Sequence, residues 1–469
     1  MFFKATTFLK GIRRQKAASI EFRYSDDTRV EQSFAPCRPT RRIGLISPGA
    51  GNLGNAAIMT AMIDNIRKRI TGAEILGITT NPAYILNQHG IPAIPLSGIS
   101  QRYYSVAPLS SSETPSSQKG NHNRIKILLK KIPLLFNALR AIWYSTFMNE
   151  LTHIVTAARA LRKLDMIIVC GGGALDEYWG GPWGHPWTLC KWGLLCRLFG
   201  VPFLFVSVGK CSLERPLSRF YARVALYVAE YRSYRDYESR KAVHSLLDTR
   251  CDPVYPDLAF SYSCEPRWTS NKSKKGDGRL VVGVSPIAYL DPRSWPRKDE
   301  RRYATYIGTM AEIIQWLLNQ DYKVFCFATD GPDVSSIDDI LDKIAGSRGS
   351  GNEIETLPPP WELSPDEVLM GICSADLIIA SRLHGVILSH LSATPALALS
   401  YDPKVDAHMK EIGQMDYCLN VESLTLDMLI ERFLMLKDFR QREEDHLRSK
   451  IDRFRRLLDL QYDRIFVSA

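Results

Sequence analysis

Residues 376–390 read DLIIASRLHGVILSH, and they join a strand pattern to a helix start. The run LIIA is apolar at every position, which is typical of a parallel strand buried on both faces. Ser381, Arg382, Leu383 and His384 follow at its carboxyl end, and a glycine then opens a helix-like stretch. Ligands of doubly wound α/β folds bind outside the carboxyl ends of the strands, so this segment predicts both a fold and a site.

The side chains after this strand indicate chemistry on an anion. Arg382 offers a rigid fork of donors for a carboxylate or phosphate, and His384 can exchange protons near neutral pH. A lone buried histidine is usually structural, but here an arginine, a strand end and a helix start coincide. We therefore predict that Arg382 and His384 are catalytic and that Ser381 and Leu383 bind substrate.

Strand-like and helix-like segments alternate through both halves of the chain. The first half runs from RIGLISP (42–48) to YRSYRDYES (231–239), which we interpret as a strand. The second half restarts at LVVGVSPI (280–287) and closes with one charged helix from about 425 to 463. This alternation predicts an α/β protein with two doubly wound Rossmann-like domains facing each other across a cleft. The predicted limits are an N-terminal extension 1–40, an N-terminal domain 41–268, a polar linker 269–279, a C-terminal domain 280–440 and a C-terminal helix 441–469.

A first glycine-rich turn, GAGNLGNAA (49–57), follows the first predicted strand. Its bare backbone N–H groups at a helix start suit an anion or a sugar oxygen, and Asn52 lies among them as a candidate binding residue. A tight turn that needs positive φ angles explains the pattern equally well, so both interpretations stay open.

A second turn, CGGGALDE (170–177), follows another buried apolar run. Its glycines, including Gly172 and Gly173, let a ligand approach the backbone, and Asp176 on the same loop is a candidate substrate-binding residue. The tryptophans that come next can either stack on sugar rings or fill a core. This second turn lacks the GxGxxG spacing of dinucleotide loops, and no GxxxxGK[ST] loop occurs in the chain.

Further cations follow two other predicted strands. Arg235 lies late in YRSYRDYES, where it either serves the cleft or forms a local ion pair with Asp236. Tyr401 and Lys404 follow the strand after SRLHG, and Lys404 is a second candidate cation for an anionic substrate. A surface turn built on Asp-Pro is the alternative for this segment.

In this order the motifs resemble the polysaccharide pyruvyl transferase family. The matching pieces are the GxGNxG turn, the GGG turn with its Asp, an Arg-Asp pair ahead of the linker, and SRLHG followed by YDPKV. The resemblance spans residues 42–418, and SRLHG with YDPKV is its specific part. Members often carry an Asp in the first turn where this chain has Asn55, so no acidic role is assigned there.

The resemblance implies the two-domain architecture of type-B glycosyltransferases and a definite reaction. A pyruvyl group passes from phosphoenolpyruvate to a sugar of a cell-surface polysaccharide or its precursor, forming a cyclic ketal and releasing phosphate. The N-terminal domain would hold the acceptor and the C-terminal domain the donor. Arg382 and His384 would contact phosphoenolpyruvate, Arg235 would reach it from the first domain, and neither a metal nor another cofactor is implied. The resemblance leaves open whether the acceptor is linked to a lipid.

The composition excludes several other classes. Sixty Lys and Arg against fifty Asp and Glu give a net charge of +10, which favours anionic partners, but no nucleic-acid-binding module is recognisable. Ten cysteines without a CxxC pair predict reduced thiols rather than disulfides or a zinc site. With no signal peptide and no apolar run of membrane-spanning length, we expect a cytoplasmic protein.

Within residues 120–147, the stretch RIKILLKKIPLLFNALRAIWYSTF (124–147) is basic and contains several aromatic residues. Lys, Arg and aromatic residues together are typical of a helix lying on an anionic membrane, which would place the protein at the inner face of the membrane. A packed helix pair with a solvated basic face is the alternative.

Two other functions remain open from the sequence. A nucleotide-sugar glycosyltransferase would share the architecture and would also place cations at a strand end. A non-catalytic glycan-binding protein would use the aromatic stretch after the second turn. The first would release a nucleotide, whereas the second would bind saccharide without turnover.

Overall fold

A computed structural model describes residues 42–47, 51–98, 146–177, 180–209, 213–263, 278–295, 297–347 and 354–466. The predicted N-terminal extension and the basic segment up to residue 145 lie outside these ranges, as does the predicted linker apart from Gly278 and Arg279. The predicted domain limits therefore remain a prediction.

The first half of the chain forms a six-stranded sheet whose order is β3-β2-β1-β4-β5-β6, with every pair parallel. Its strands are β1 Arg42–Ser47, β2 Glu74–Thr79, β3 Ala93–Pro95, β4 Met166–Cys170, β5 Phe203–Val208 and β6 Tyr231–Tyr234. The central strand β4 is apolar at every position, as expected where helices cover both faces of a parallel sheet.

The second half repeats this plan with the order β12-β11-β10-β7-β8-β9, again all parallel. Its strands are β7 Val281–Ser285, β8 Lys323–Cys326, β9 Glu355–Thr356, β10 Leu377–Ala380, β11 Ala396–Ser400 and β12 Cys418–Asn420. In each sheet the strand order reverses at the centre, between β1 and β4 and between β7 and β10. The predicted class, two doubly wound Rossmann-like domains, is confirmed.

The helices connect these strands. They are α1 Leu53–Arg69, α2 Pro82–His89, α3 across 146–161, α4 His185–Phe199, α5 Pro216–Val228, α6 Tyr237–His244, α7 Glu300–Asn319, α8 Val334–Ser347, α9 Pro365–Ser374, α10 Leu383–Leu391, α11 Pro403–Ile412, α12 Leu426–Asp438 and α13 Arg440–Phe466. Within the described ranges no helix is both long and apolar enough to cross a membrane.

Two element predictions are wrong in detail. The segment 231–239 is a strand only to Tyr234, because the carboxylate of Asp236 accepts the N–H of Ser239 at 2.6 Å and starts α6. The single helix expected from about 425 to 463 is two helices that meet at Phe439, whose backbone leaves the helical conformation. The short strands β9 and β12 carry no apolar alternation long enough to be recognised in the sequence.

The last helix, α13, returns to the first domain and packs against it. The side chain of Gln461 is fully buried, accepts the hydroxyl of Ser207 at 3.0 Å and donates to the hydroxyl of Ser233 at 2.6 Å. Arg69 on α1 pairs with Asp459 at 2.7 Å and with Asp463 at 2.6 Å. The C-terminal helix therefore ties the two sheets together.

Gln461→Ala should lower the free energy of unfolding by about 1–3 kcal/mol, because it leaves two buried serine hydroxyls without their amide partner. Gln441 on the same helix is exposed, so Gln441→Ala is the matched control and should change little. Denaturant unfolding of both variants checks this. Equal stability of the two variants would show that Gln461 does not hold α13 in place.

Candidate active site

The central reversal points of the two sheets face each other. The N–H of Leu53, at the start of α1, donates to the carbonyl of Thr329 beyond β8 at 3.0 Å. The neighbouring Asn52 forms an antiparallel bridge with Asp330. The turn after β1 therefore contacts the loop after β8 directly, and the strand ends of both domains border one cleft.

The first glycine turn is shaped by its contact with the second domain. The side chain of Asn52 accepts the N–H of Asn55 at 3.1 Å and caps α1. A Cβ atom on Gly54 would lie only 1.9 Å from Cγ of His384. Glycine is therefore required here for the imidazole to lie against the backbone of α1.

This turn, GxGNxG at 49–54, also has the GxGxxG spacing of dinucleotide-binding loops. Dinucleotide sites add an acidic residue at the end of the following strand, where it binds the ribose. Here β2 ends at Thr79, and the acid of this strand, Glu74, lies at its opposite end and pairs with Arg42. The spacing alone thus does not indicate a nicotinamide cofactor.

The second glycine turn lies beside the first. Gly172 has a φ of 60°, and a Cβ there would lie 3.1 Å from the side-chain oxygen of Asn55. The carbonyl of Gly172 accepts the N–H of Gly209 at 2.7 Å. Gly173 and Asp176 follow as partly exposed residues at the same sheet edge.

The aromatic stretch after this turn is only partly core. Trp183 is about half exposed, and its ring lies 5.8 Å from that of Trp187 and 5.9 Å from that of Tyr221. Trp187 donates its indole N–H to Glu150 at 2.8 Å. Trp187 is thus anchored in the packing, whereas Trp183 presents its ring to solvent, and stacking on a sugar stays a prediction.

Within SRLHG, two of the predicted site residues serve the packing. The hydroxyl of Ser381 is fully buried and lies 2.8 Å from that of Tyr306, and the N–H of Ser381 donates to the carbonyl of Ser285 at 3.0 Å. Leu383 is a member of the hydrophobic core. Their predicted contact with substrate stays a prediction.

Arg382 is held by two carboxylates. Its Nε and Nη2 atoms bond the two oxygens of Asp333 at 2.7 and 2.8 Å, and Nη1 lies 3.3 Å from Asp330. Asp333 is fully buried and also accepts the N–H of Ala288 at 2.9 Å. Arg382 therefore links the ends of β7, β8 and β10, and its charge is balanced before any ligand binds.

His384 has a ring nitrogen that can bind a ligand. Its Nε2 is buried, and no hydrogen-bond partner lies near it among the described residues. The pKa of His384 is lowered to about 4, mainly by burial; the positive charges of Arg235 and Lys404 contribute to this lowering, and Asp257 and Asp330 oppose it. The ring is therefore neutral at pH 7 and can accept or, once protonated, donate a proton.

Arg235 reaches this cluster from the first domain. It follows β6, is about 5% exposed, and lies between Asp236 at 3.3 Å and Asp257 at 3.5 Å. A Cβ on Gly209 would come within 2.6 Å of the guanidinium, so glycine leaves room for it. The predicted ion pair of Arg235 with Asp236 is therefore present. The same guanidinium is also close enough to His384 to lower its pKa.

Lys404 approaches His384 from the second domain. Its ammonium lies 3.7 Å from Asp402 and 5.1 Å from the ring centre of Tyr401. Asp402 also caps α11 by accepting the N–H of Lys404 at 3.0 Å, so the Asp-Pro turn and the cation occur together. Trp295 packs against Tyr401 and under Arg382.

The acidic residues and hydroxyls of the site are not among the residues predicted from the sequence. Asp330 and Asp333 follow β8 and could have been found by the same strand-end rule, whereas Asp257 comes from a loop that has no such signal. Buried hydroxyls at Ser285 and Thr329 also border the cleft.

Glu411 on α11 has a pKa raised to about 8 by burial and by the nearby charges of Asp236 and Asp257. Among the described residues no group of side chains is arranged to hold a metal ion.

Arg382→Ala should lower the free energy of unfolding by about 3–5 kcal/mol, because Asp333 would remain buried without its partner. The matched variant Arg382→Ala/Asp333→Asn removes that uncompensated charge and should recover part of the loss. Denaturant unfolding of both proteins is the measurement. A double variant no more stable than the single one would mean that the ion pair is not what Arg382 contributes.

Solved structures share the fold at low identity. Staphylococcus aureus MnaA, solved with UDP, aligns over 87% of this chain and 90% of its own, with 12% identity and a TM-score of 0.50. The N-terminal domain of Candida albicans trehalose-6-phosphate phosphatase aligns over 96% and 99%, with 11% identity and a TM-score of 0.52. These likenesses support the two-domain α/β fold and nothing finer. No curated protein matches in sequence.

A family model described as polysaccharide pyruvyl transferase matches residues 52–403. The match begins in the first glycine turn and includes the second turn, Arg235 and SRLHG. It covers well over half of the 469 residues. The chain therefore belongs to the polysaccharide pyruvyl transferase family.

Proposed function

We propose that the protein transfers the pyruvyl group of phosphoenolpyruvate to two hydroxyls of a saccharide, forming a cyclic ketal and releasing phosphate. Family membership supports a transferase acting on saccharides. The observation that carries the proposal is the position of His384, whose ring lies against Gly54 at the meeting point of both domains with an uncommitted Nε2.

The cleft offers cations for the two anionic groups of phosphoenolpyruvate. Arg235 and Lys404 approach His384 from opposite domains, close enough that both lower its pKa. The helix α10 begins beside them without a side-chain cap, so its first N–H groups can face an anion. We assign the phosphate and carboxylate to this cluster, with Arg382 mainly holding the strand ends in register.

His384 supplies the acid in the proposed reaction. The anionic donor stabilises the imidazolium, which raises the pKa of His384 from its value in the free protein. The imidazolium then donates its proton to the methylene carbon, which becomes a methyl group, and the neighbouring carbon becomes electrophilic. This step needs the protonated ring, which the bound donor favours, whereas the ring is neutral at pH 7 in the free protein.

The saccharide completes the reaction with its two hydroxyls. The first oxygen bonds to the electrophilic carbon and returns its proton to the imidazole. The second oxygen bonds to the same carbon while the carbon–oxygen bond to phosphate breaks, and its proton leaves with inorganic phosphate. The reaction forms one cyclic ketal and releases one inorganic phosphate, without a redox step or a further cofactor.

The acceptor is assigned to the first domain. The glycine turns with Asn52, Gly172 and Gly173 border the cleft, Asn52 and Gly173 are partly exposed there, and Asp176 lies at the same edge as a candidate base. The exposed ring of Trp183 can stack on a sugar. A lipid-linked polysaccharide precursor is compatible with this arrangement, and we place the reaction in the cytoplasm.

His384→Ala should reduce transfer from phosphoenolpyruvate to saccharide by at least about 100-fold, because the general acid is removed. His244 is exposed on α6, so His244→Ala is the control and should keep its activity. Phosphate release and the pyruvyl mass increment on the saccharide are measured together. Near wild-type turnover of His384→Ala would remove this assignment.

The same assay with nucleotide sugars separates the competing functions. A glycosyltransferase would release a nucleotide and leave phosphoenolpyruvate unchanged. A glycan-binding protein would bind saccharide and turn over neither donor. Either result would contradict the proposed reaction.

The pH profile should follow the lowered pKa of His384. In the free protein this pKa is about 4, so the protonated fraction, and with it kcat/KM, should fall about tenfold per pH unit above that value. The descending limb of kcat should lie at higher pH, because the bound anion raises the pKa. A kcat/KM that rises between pH 5 and 7 would instead make His384 a base.

A further inference from the structure

The outer face of the first domain carries apolar side chains on three adjacent helices. Helices α3, α4 and α5 lie side by side on one side of the sheet, joined by the ion pair of Lys191 with Glu150 at 2.7 Å and by the contact of Trp187 with Tyr221 at 5.3 Å. Their inner sides form the second hydrophobic cluster. Their outer sides expose large apolar residues, namely Phe147, Met148, Leu151, Val155, Leu194, Leu198, Leu217, Phe220 and Tyr227.

These residues form stripes at helical spacing rather than isolated exposures. On α5 the stripe runs through Leu217 and Phe220 to Tyr227, and on α3 it runs from Met148 through Leu151 to Val155. Leu198 on α4 is 76% exposed, the highest value among the exposed large apolar residues of the described chain. Single exposed apolar residues are ordinary, but contiguous stripes on neighbouring helices mark an interaction surface.

The charges between the stripes are mainly basic. Exposed arginines continue the stripe of α3 and lie between the apolar residues of α4 and α5, namely Arg159, Arg162, Arg197 and Arg223. The acid at the centre of the three helices, Glu150, is buried and neutralised by Lys191. Exposed acids are confined to the ends of α5, at Glu214 and Glu230. We name this surface of α3, α4 and α5 the apolar-basic face.

We propose that the apolar-basic face docks the protein on an anionic phospholipid surface. Apolar side chains would enter the boundary between headgroups and acyl chains while the arginines bind the negative headgroups. Charge complementarity favours this occupant over a second copy of the chain, because two such faces would bring arginines against arginines. The inference concerns a surface and does not depend on which donor the cleft uses.

The position of the face agrees with this role. Helices α4 and α5 follow β4 and β5, so their N-terminal ends lie at the sheet edge that borders the cleft. The half-exposed ring of Trp183 lies at that end, between the face and the second glycine turn. Docking would therefore bring the acceptor side of the cleft close to the headgroups.

The test is co-sedimentation of the full chain with vesicles of phosphatidylglycerol and phosphatidylcholine, compared with phosphatidylcholine alone. The wild-type protein should bind the anionic vesicles selectively. The variant Leu194→Ser/Leu198→Ser/Phe220→Ser should bind at least about tenfold more weakly, because it removes apolar area that enters the bilayer. The control Leu86→Ser/Leu460→Ser changes exposed residues on α2 and α13 and should bind as the wild type does.

A second pair of variants separates local from overall charge. Arg197→Glu/Arg223→Glu lies on the face, whereas Arg448→Glu/Arg456→Glu lowers the net charge equally on α13, where both residues are exposed. Only the first should lose binding to anionic vesicles at moderate salt. Thermal unfolding confirms that each variant folds.

Several results would overturn the proposal. They are no vesicle binding by the wild type, equal binding to phosphatidylcholine alone, or equal effects of the face and control variants. If the wild type does not bind vesicles but is a dimer in solution, and only the face variants are monomers, the face would be assigned to a second copy of the chain instead.

Discussion

The site depends on one close approach, that of the His384 ring to the backbone of Gly54. A methyl group at Gly54 would occupy the space of the imidazole, so the absence of a side chain allows the two domains to meet at this point. The hydrogen bond from Leu53 to Thr329 and the bridge of Asn52 with Asp330 fix the same junction. The contact buries His384 and keeps its ring neutral. The chemistry of the histidine is thus a consequence of how the sheets face each other.

Uninterrupted apolar runs, each followed by a turn, are enough to predict the architecture. Buried runs such as MIIVC and LIIA, each followed by a polar or glycine-rich turn, predicted two parallel sheets and a cleft at their strand ends, and the fold confirms both. The short strands β9 and β12 were missed because two or three residues carry no period. The break at Phe439 was missed because neither glycine nor proline marks it. The return of α13 to the first domain rests on Gln461 and Arg69, whose partners are distant in sequence.

The sequence predicts which residues lie at the cleft, but it does not predict the ion pairs that they form. SRLHG, Arg235 and Lys404 do lie around one cleft, as strand-end reasoning expects. The sequence could not show that Asp333 and Asp330 balance Arg382, because those contacts depend on how the loop after β8 folds back. The bidentate pairing of Arg382 with Asp333 shifts the emphasis to His384 and to the two cations beside its ring, Arg235 and Lys404, as the groups that would meet a donor. The apolar-basic face was also hidden, since its stripes align only when three helices pack side by side.

The central claim is that His384 protonates the methylene carbon of phosphoenolpyruvate before a saccharide oxygen adds to its neighbour. The most direct measurement runs the reaction in heavy water and examines the ketal methyl group of the product by NMR and mass spectrometry. The account predicts a methyl group that carries one deuterium from the solvent. A ketal methyl group without solvent deuterium, or a modified saccharide that contains no ketal, would contradict it.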